Sequence, residues 1–121
     1  MPAASFDFTD NFRIEQGVYR EQQFVWRTDV GAPVPLVGFT ARMQLRKSKP
    51  ATDVLLELST ANGGIAIDGA NGAVTVIFKE TDTIGVPWRG GVYDLELTSP
   101  DNKTIRFIEG SFEVSAEVTR P

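Results

Sequence analysis

The side chains able to do chemistry in this chain are carboxylates, guanidinium and ammonium groups and a few aromatics, because it contains no cysteine and no histidine. That removes disulfides, thiolate nucleophiles, imidazole bases and zinc sites built from nitrogen and sulfur ligands. Asp94 and Glu96 stand two residues apart. On a strand this spacing puts both carboxyls on one face, where such a pair serves as acid and base or holds calcium through oxygen. Asp7, Asp10 and Asp101 are the other acidic candidates. None lies in a loop with the ligand density of a calcium site, so the pattern reads first as a solvated sheet face and turn chemistry. The serine and threonine hydroxyls have neither a histidine nor a Ser-x-x-Lys partner to activate them. The sequence predicts no enzyme, no metal and no cofactor.

Binding is the remaining chemistry. Asn62-Gly63-Gly64, Asn71-Gly72 and Arg89-Gly90-Gly91 invite comparison with phosphate cradles, but strand sequence follows them where a cradle needs a helix, so they read as turns. Arg42, Arg46, Lys47 and Lys49 gather at the end of one strand and in the loop behind it. They read either as a solvated edge whose lysines discourage sheet-to-sheet pairing or as a docking contact. Trp26 alternates with Phe24 and belongs to a core; Trp88, between Pro87 and Arg89 in a loop, is a contact residue or packs over the end of the fold. With Tyr19 and Tyr93 it would form the aromatic face of a carbohydrate-binding module.

The elements that position these groups are strands. At 121 residues the chain suits one domain, and no apolar run approaches the ~20 residues that span a bilayer. The formal charge of −4 opposes the basic face that nucleic acid needs. No basic flank with an apolar segment opens the chain, so synthesis in a cytoplasm without a secretion signal is expected. Residues 1–11 read as a flexible arm and 12–121 as a single domain. A strand is expected over 36–46, and its second half, Phe39-Thr40-Ala41-Arg42-Met43-Gln44-Leu45-Arg46, alternates with period two, turning Phe39, Ala41, Met43 and Leu45 inward. Strands are also expected at 12–15, 23–28, 54–58, 65–68, 73–79, 93–98, 105–107 and 112–118. Tight hairpins are expected at the two glycine turns bracketing 65–68, and one helical turn at 80–84. The fold class predicted is all-β, an antiparallel immunoglobulin-like sandwich of eight or nine short strands, with a small closed barrel as the alternative.

The segments "IEQG" (14–17), "FVWR" (24–27), "PLVGFTARMQLR" (35–46), "LLELSTANGGIAID" (55–68) and "GVYDLELTSPDNKTIRFIEGSFEVSAEVTR" (91–120) are similar, in their order, to small β-sandwich proteins of tailed-bacteriophage virions, among them N-terminal domains of baseplate and tail-fibre proteins. The resemblance implies a non-catalytic adaptor that joins larger virion components at the neck, tail tip or baseplate, in several copies. It implies assembly in the host bacterial cytoplasm and residence in the virion. The partners expected are other virion proteins and copies of the chain itself, with no nucleic acid and no membrane. The contact residues expected are Phe6 and Phe8, in an arm able to add as a strand to a neighbour's sheet edge, together with Arg42, Arg46, Lys47, Lys49, Trp88 and Arg89. Carbohydrate binding through exposed aromatics is the alternative.

Overall fold

A computed structural model describes residues 8–9 and 11–118. Among the described residues nine strands form two sheets: β1 (Phe8–Thr9), β2 (Phe12–Glu15), β3 (Arg20–Val25), β4 (Thr40–Arg46), β5 (Leu56–Ser59), β6 (Ile65–Asp68), β7 (Ala73–Phe78), β8 (Gly90–Thr98) and β9 (Thr104–Ser115). A 3-10 turn, Gly69–Asn71, precedes β7, and a single helical turn, α1 (Glu80–Thr83), follows it. The larger sheet runs β1-β9-β8-β4-β5, with β2 also lying on β9; the smaller runs β3-β7-β6. The chain passes from β2 to the smaller sheet, back for β4 and β5, across again for β6 and β7, and returns for β8 and β9. That alternation is the winding of an immunoglobulin-like sandwich.

Period-two patterning holds where a strand has one wet face. Ala41, Met43 and Leu45 of β4 are buried, as are Tyr93, Leu95 and Leu97 of β8, and β4 lies antiparallel to β8 with Met43 opposite Leu95. Val74, Val76 and Phe78 of β7 close the core from the smaller sheet. Trp26 is 1% exposed and stacks obliquely on Phe107 with ring centroids 5.6 Å apart; Phe24 meets the same ring edge-on. The expected core role of Trp26 is what the fold realises.

Several expectations need correction. The Asn62-Gly63-Gly64 turn is not a hairpin, since β5 and β6 belong to different sheets. Leu58 and Ile65, on either side of it, are both buried and must enter one core from opposite sheets. The turn that carries the chain across is held by Asn62 Oδ1, which accepts the Ser59 and Gly64 amides, and by Gly63 at φ +79. Gly90 and Gly91 are not a turn but the start of β8. The strands expected at 105–107 and 112–118 are one strand, β9, which ends at Ser115. A bulge shifts the pairing from Leu95↔Ile108 to Glu96↔Arg106, so Phe107 and Ile108 are both buried in succession. The strand expected at 23–28 begins earlier, at Arg20, and Trp26 continues inward through bonds from its amide to the Gly72 carbonyl and from the Val34 amide to its own carbonyl.

Candidate functional site

The outer face of the larger sheet is a broad polar surface. β4 sends Arg42, Gln44 and Arg46 outward by the same alternation that buries its apolar set. β8 answers in register: Arg42 stands opposite Glu96 and Gln44 opposite Asp94. On the far side β9 supplies Arg106 and Glu109, both outward although three apart, because the bulge at Phe107 and Ile108 reverses the strand's parity between them. The result is a shallow groove of about 280 Å³ with a positive stripe on β4 beside a negative stripe on β8. Its ion pairs are loose and solvent-facing. Arg106 Nε lies 3.5 Å from Asp94 and its Nη1 3.6 Å from Glu109, and Lys49 Nζ lies 3.3 Å from the same Glu109 oxygen. Exposed pairs of this kind stabilise a fold by only ~0–1 kcal/mol each.

Of the residues expected to make contacts, Arg42, Arg46 and Lys49 line this groove, while Lys47 is exposed in the loop behind it. The basic cluster is therefore interleaved with carboxylates rather than presented alone. Nothing local in the sequence joins Asp94, Glu96 and Glu109 to it; only the pairing of β4 with β8 and of β8 with β9 does so. Arg46 also has a structural task, since its Nη1 donates to the Ala51 and Thr52 carbonyls, both at 2.8 Å, and its Nη2 to Gln44 Oε1. It staples the loop between β4 and β5. Arg46→Ala is expected to speed amide exchange in 50–55 and to cost about 1–2 kcal/mol in a urea melt; unchanged exchange there would refute the staple.

The remaining candidates lie elsewhere. Phe6 is outside the described residues. Phe8 lies in β1, which runs parallel to β9 of its own chain with Phe8 opposite Ile108; the strand addition imagined for the arm is made internally at this residue. Trp88 is half-buried, its ring edge-on to Phe112 at 5.8 Å, while Arg89 folds back on the Val86 and Trp88 carbonyls. Tyr93 is buried, and exposed Tyr19 donates its hydroxyl to Glu21, which with the nearby negative charge holds the phenol above its ordinary pKa. The three aromatics of the carbohydrate reading thus form no common platform. Asp94 is paired with Arg106 instead of facing Glu96 across a cleft, and among the described residues no three acidic groups converge as a metal site would need. No helix among them is long and apolar enough to cross a membrane.

No known family model and no curated protein matches the sequence. Solved structures resemble it in architecture. One, from work on multimeric cell-adhesive interactions of voltage-gated sodium channel β subunits, has 10% identity and a TM-score of 0.48, covering 93% of this chain and 96% of its own. A second is the extracellular domain of the β4 subunit, described as a parallel homodimer acting in cell–cell adhesion, at 9% identity and a TM-score of 0.47, covering 95% and 98%. Tim-1 follows at 12% and 0.43, covering 95% and 99%. The tailed-phage reading is corrected here: the structural neighbours are immunoglobulin-like cell-surface domains, not virion proteins, and no sequence match places the chain in a particle. The virion role, virion partners and virion location do not stand. At these identities the likeness concerns the sandwich alone.

Proposed function

We propose that the chain is a non-catalytic recognition domain that binds a second copy of itself through the outer face of the larger sheet. The observation that carries this is the side-by-side placement of a positive stripe on β4 and a negative one on β8, in register. A two-fold axis laid along the seam between these strands sets β4 of one copy over β8 of the other. Arg42 then stands over the partner's Glu96, and the reciprocal pair forms at the same level. A self-complementary patch is what an isologous dimer requires, and opposite stripes fix its register. Asp94 and Glu109 are tied to Arg106 and Lys49 in a shallow open groove, which suits recognition more than a reaction.

Sedimentation should find a dimer in about 50 mM salt that weakens in about 500 mM, as screened charge pairs do. Arg42→Glu should raise the dissociation constant at least tenfold, equivalent to ~1.4 kcal/mol, and Arg42→Glu with Glu96→Arg should restore it. A monomer at every salt and protein concentration would defeat the proposal, as would a dimer indifferent to the single charge reversal.

A further inference from the structure

At the end of the sandwich where β3 leaves for β4 and β8 turns into β9, a cleft of about 580 Å³ opens between those two connections. Ligand sites fall in the range of roughly 300–1,000 Å³. Its walls are apolar: Val34, Pro35 and Phe39 from the β3–β4 connection and Ile105 from β9, over the buried ring of Trp26. On the same connection Val37 is 71% and Val30 is 90% exposed. Its mouth is polar. Asp101 and Lys103 present a carboxylate and an ammonium side by side, Oδ2 to Nζ at 3.7 Å.

The turn that carries them is stiff. The Ser99 hydroxyl donates to Asp101 and accepts from the Lys103 amide at 3.1 Å, the Ser99 amide bonds the Lys103 carbonyl at 2.9 Å, and Asn102 takes the left-handed conformation at φ 65. The Ser99 hydroxyl bond also holds the Asp101 carboxyl below its ordinary pKa, so the carboxylate stays charged near neutrality.

We infer that this cleft binds an extended segment of a partner polypeptide, taking one bulky apolar side chain between Phe39 and Ile105 and the flanking peptide groups on Asp101 and Lys103. Adjacent opposite charges attract and repel a singly charged ligand in near balance. A peptide group, which offers an N–H to the carboxylate and a C=O to the ammonium, is attracted by both. The cleft is open to solvent between the two connections, so the segment can enter and leave it along its backbone while one side chain is seated. This site is at a different surface from the charged face and does not depend on it.

The test uses isotope-labelled protein titrated with the blocked tripeptide N-acetyl-Ala-Leu-Ala-amide, with its Gly-centred analogue and free leucine as comparisons. Saturable amide shifts are expected at Thr28, Phe39, Lys103 and Ile105 with the leucine peptide. Asp101→Asn, an exposed change that leaves the apolar walls intact, should weaken binding about fivefold. Phe39→Ser should abolish it, and Arg42→Glu should leave it unchanged. Equal response to the Gly-centred peptide, binding of free leucine as tight as the tripeptide, or insensitivity to Asp101→Asn would overturn the inference.

Discussion

Trp26→Ala should bring the domain close to unfolding. The indole is 1% exposed and touches Phe107 at the centre of the core, and its backbone is bonded on both sides, to Gly72 and to Val34. Those bonds fix the chain where it leaves β3, so the surroundings cannot collapse into the vacated space. Large aromatic-to-alanine changes at such sites cost about 3–5 kcal/mol, and domains of this size have only ~5–15 kcal/mol in all. We expect a loss of about 4 kcal/mol, read from the urea midpoint by circular dichroism. The variant retains Trp88 as its single indole, so its fluorescence reports the β8 end separately. A loss under about 2 kcal/mol would mean that Phe107 refills the space and that the packing is looser than described.

Gly91→Ala should be nearly as damaging, for a reason no turn propensity anticipates. A β-carbon at Gly91 would lie 2.1 Å from the Arg46 carbonyl oxygen and 3.0 Å from its carbon. Both are backbone atoms of β4, which cannot give way without breaking the β4–β8 ladder that runs through Arg46 and Val92. Overpacking typically costs about 1–3 kcal/mol, and with nothing flexible to yield we expect the upper end, about 3 kcal/mol. Gly63→Ala is the control. Nothing lies within 4 Å of its β-carbon, so only the positive φ of 79° is strained, at about 1–2 kcal/mol. Chemical denaturation of the two variants should therefore rank Gly91→Ala as the worse, and the reverse order would contradict the close approach of the strands.

Legibility in the sequence followed the physics of each position. Where one face is wet and one dry, as in β4 and β8, alternation alone placed the strands and their inward residues, and turn formers marked most boundaries. The fold class followed from these. The expectations that failed each depended on a partner far away in sequence. Asn62-Gly63-Gly64 has the composition of a hairpin, yet which sheet its flanks join is decided by where Leu58 and Ile65 find the core. Gly90-Gly91 is indistinguishable from a turn until β4 is laid against it. The parity change between Ile105, Phe107 and the later Phe112, Val114 was visible, but two strands and one bulged strand produce the same pattern. The surface suffered most. Arg42, Arg46 and Lys49 were recognisable as a cluster, whereas the carboxylates threaded through it come from β8 and β9, some 50–60 residues downstream. The family resemblance pointed to a biological setting that the structural neighbours do not share.

The placement of β1 and β2 has a mechanical consequence. Both run parallel to β9, with Phe12 beside Phe112 and Glu15 beside Ser115. The first described strand therefore starts beside Ile108, and the last runs on in the same direction to Ser115. Tension applied between Phe8 and Val118 would slide β2 lengthwise along β9, loading the hydrogen bonds of that ladder together instead of unzipping them one by one. A pull between these two points thus meets the β2–β9 ladder in shear.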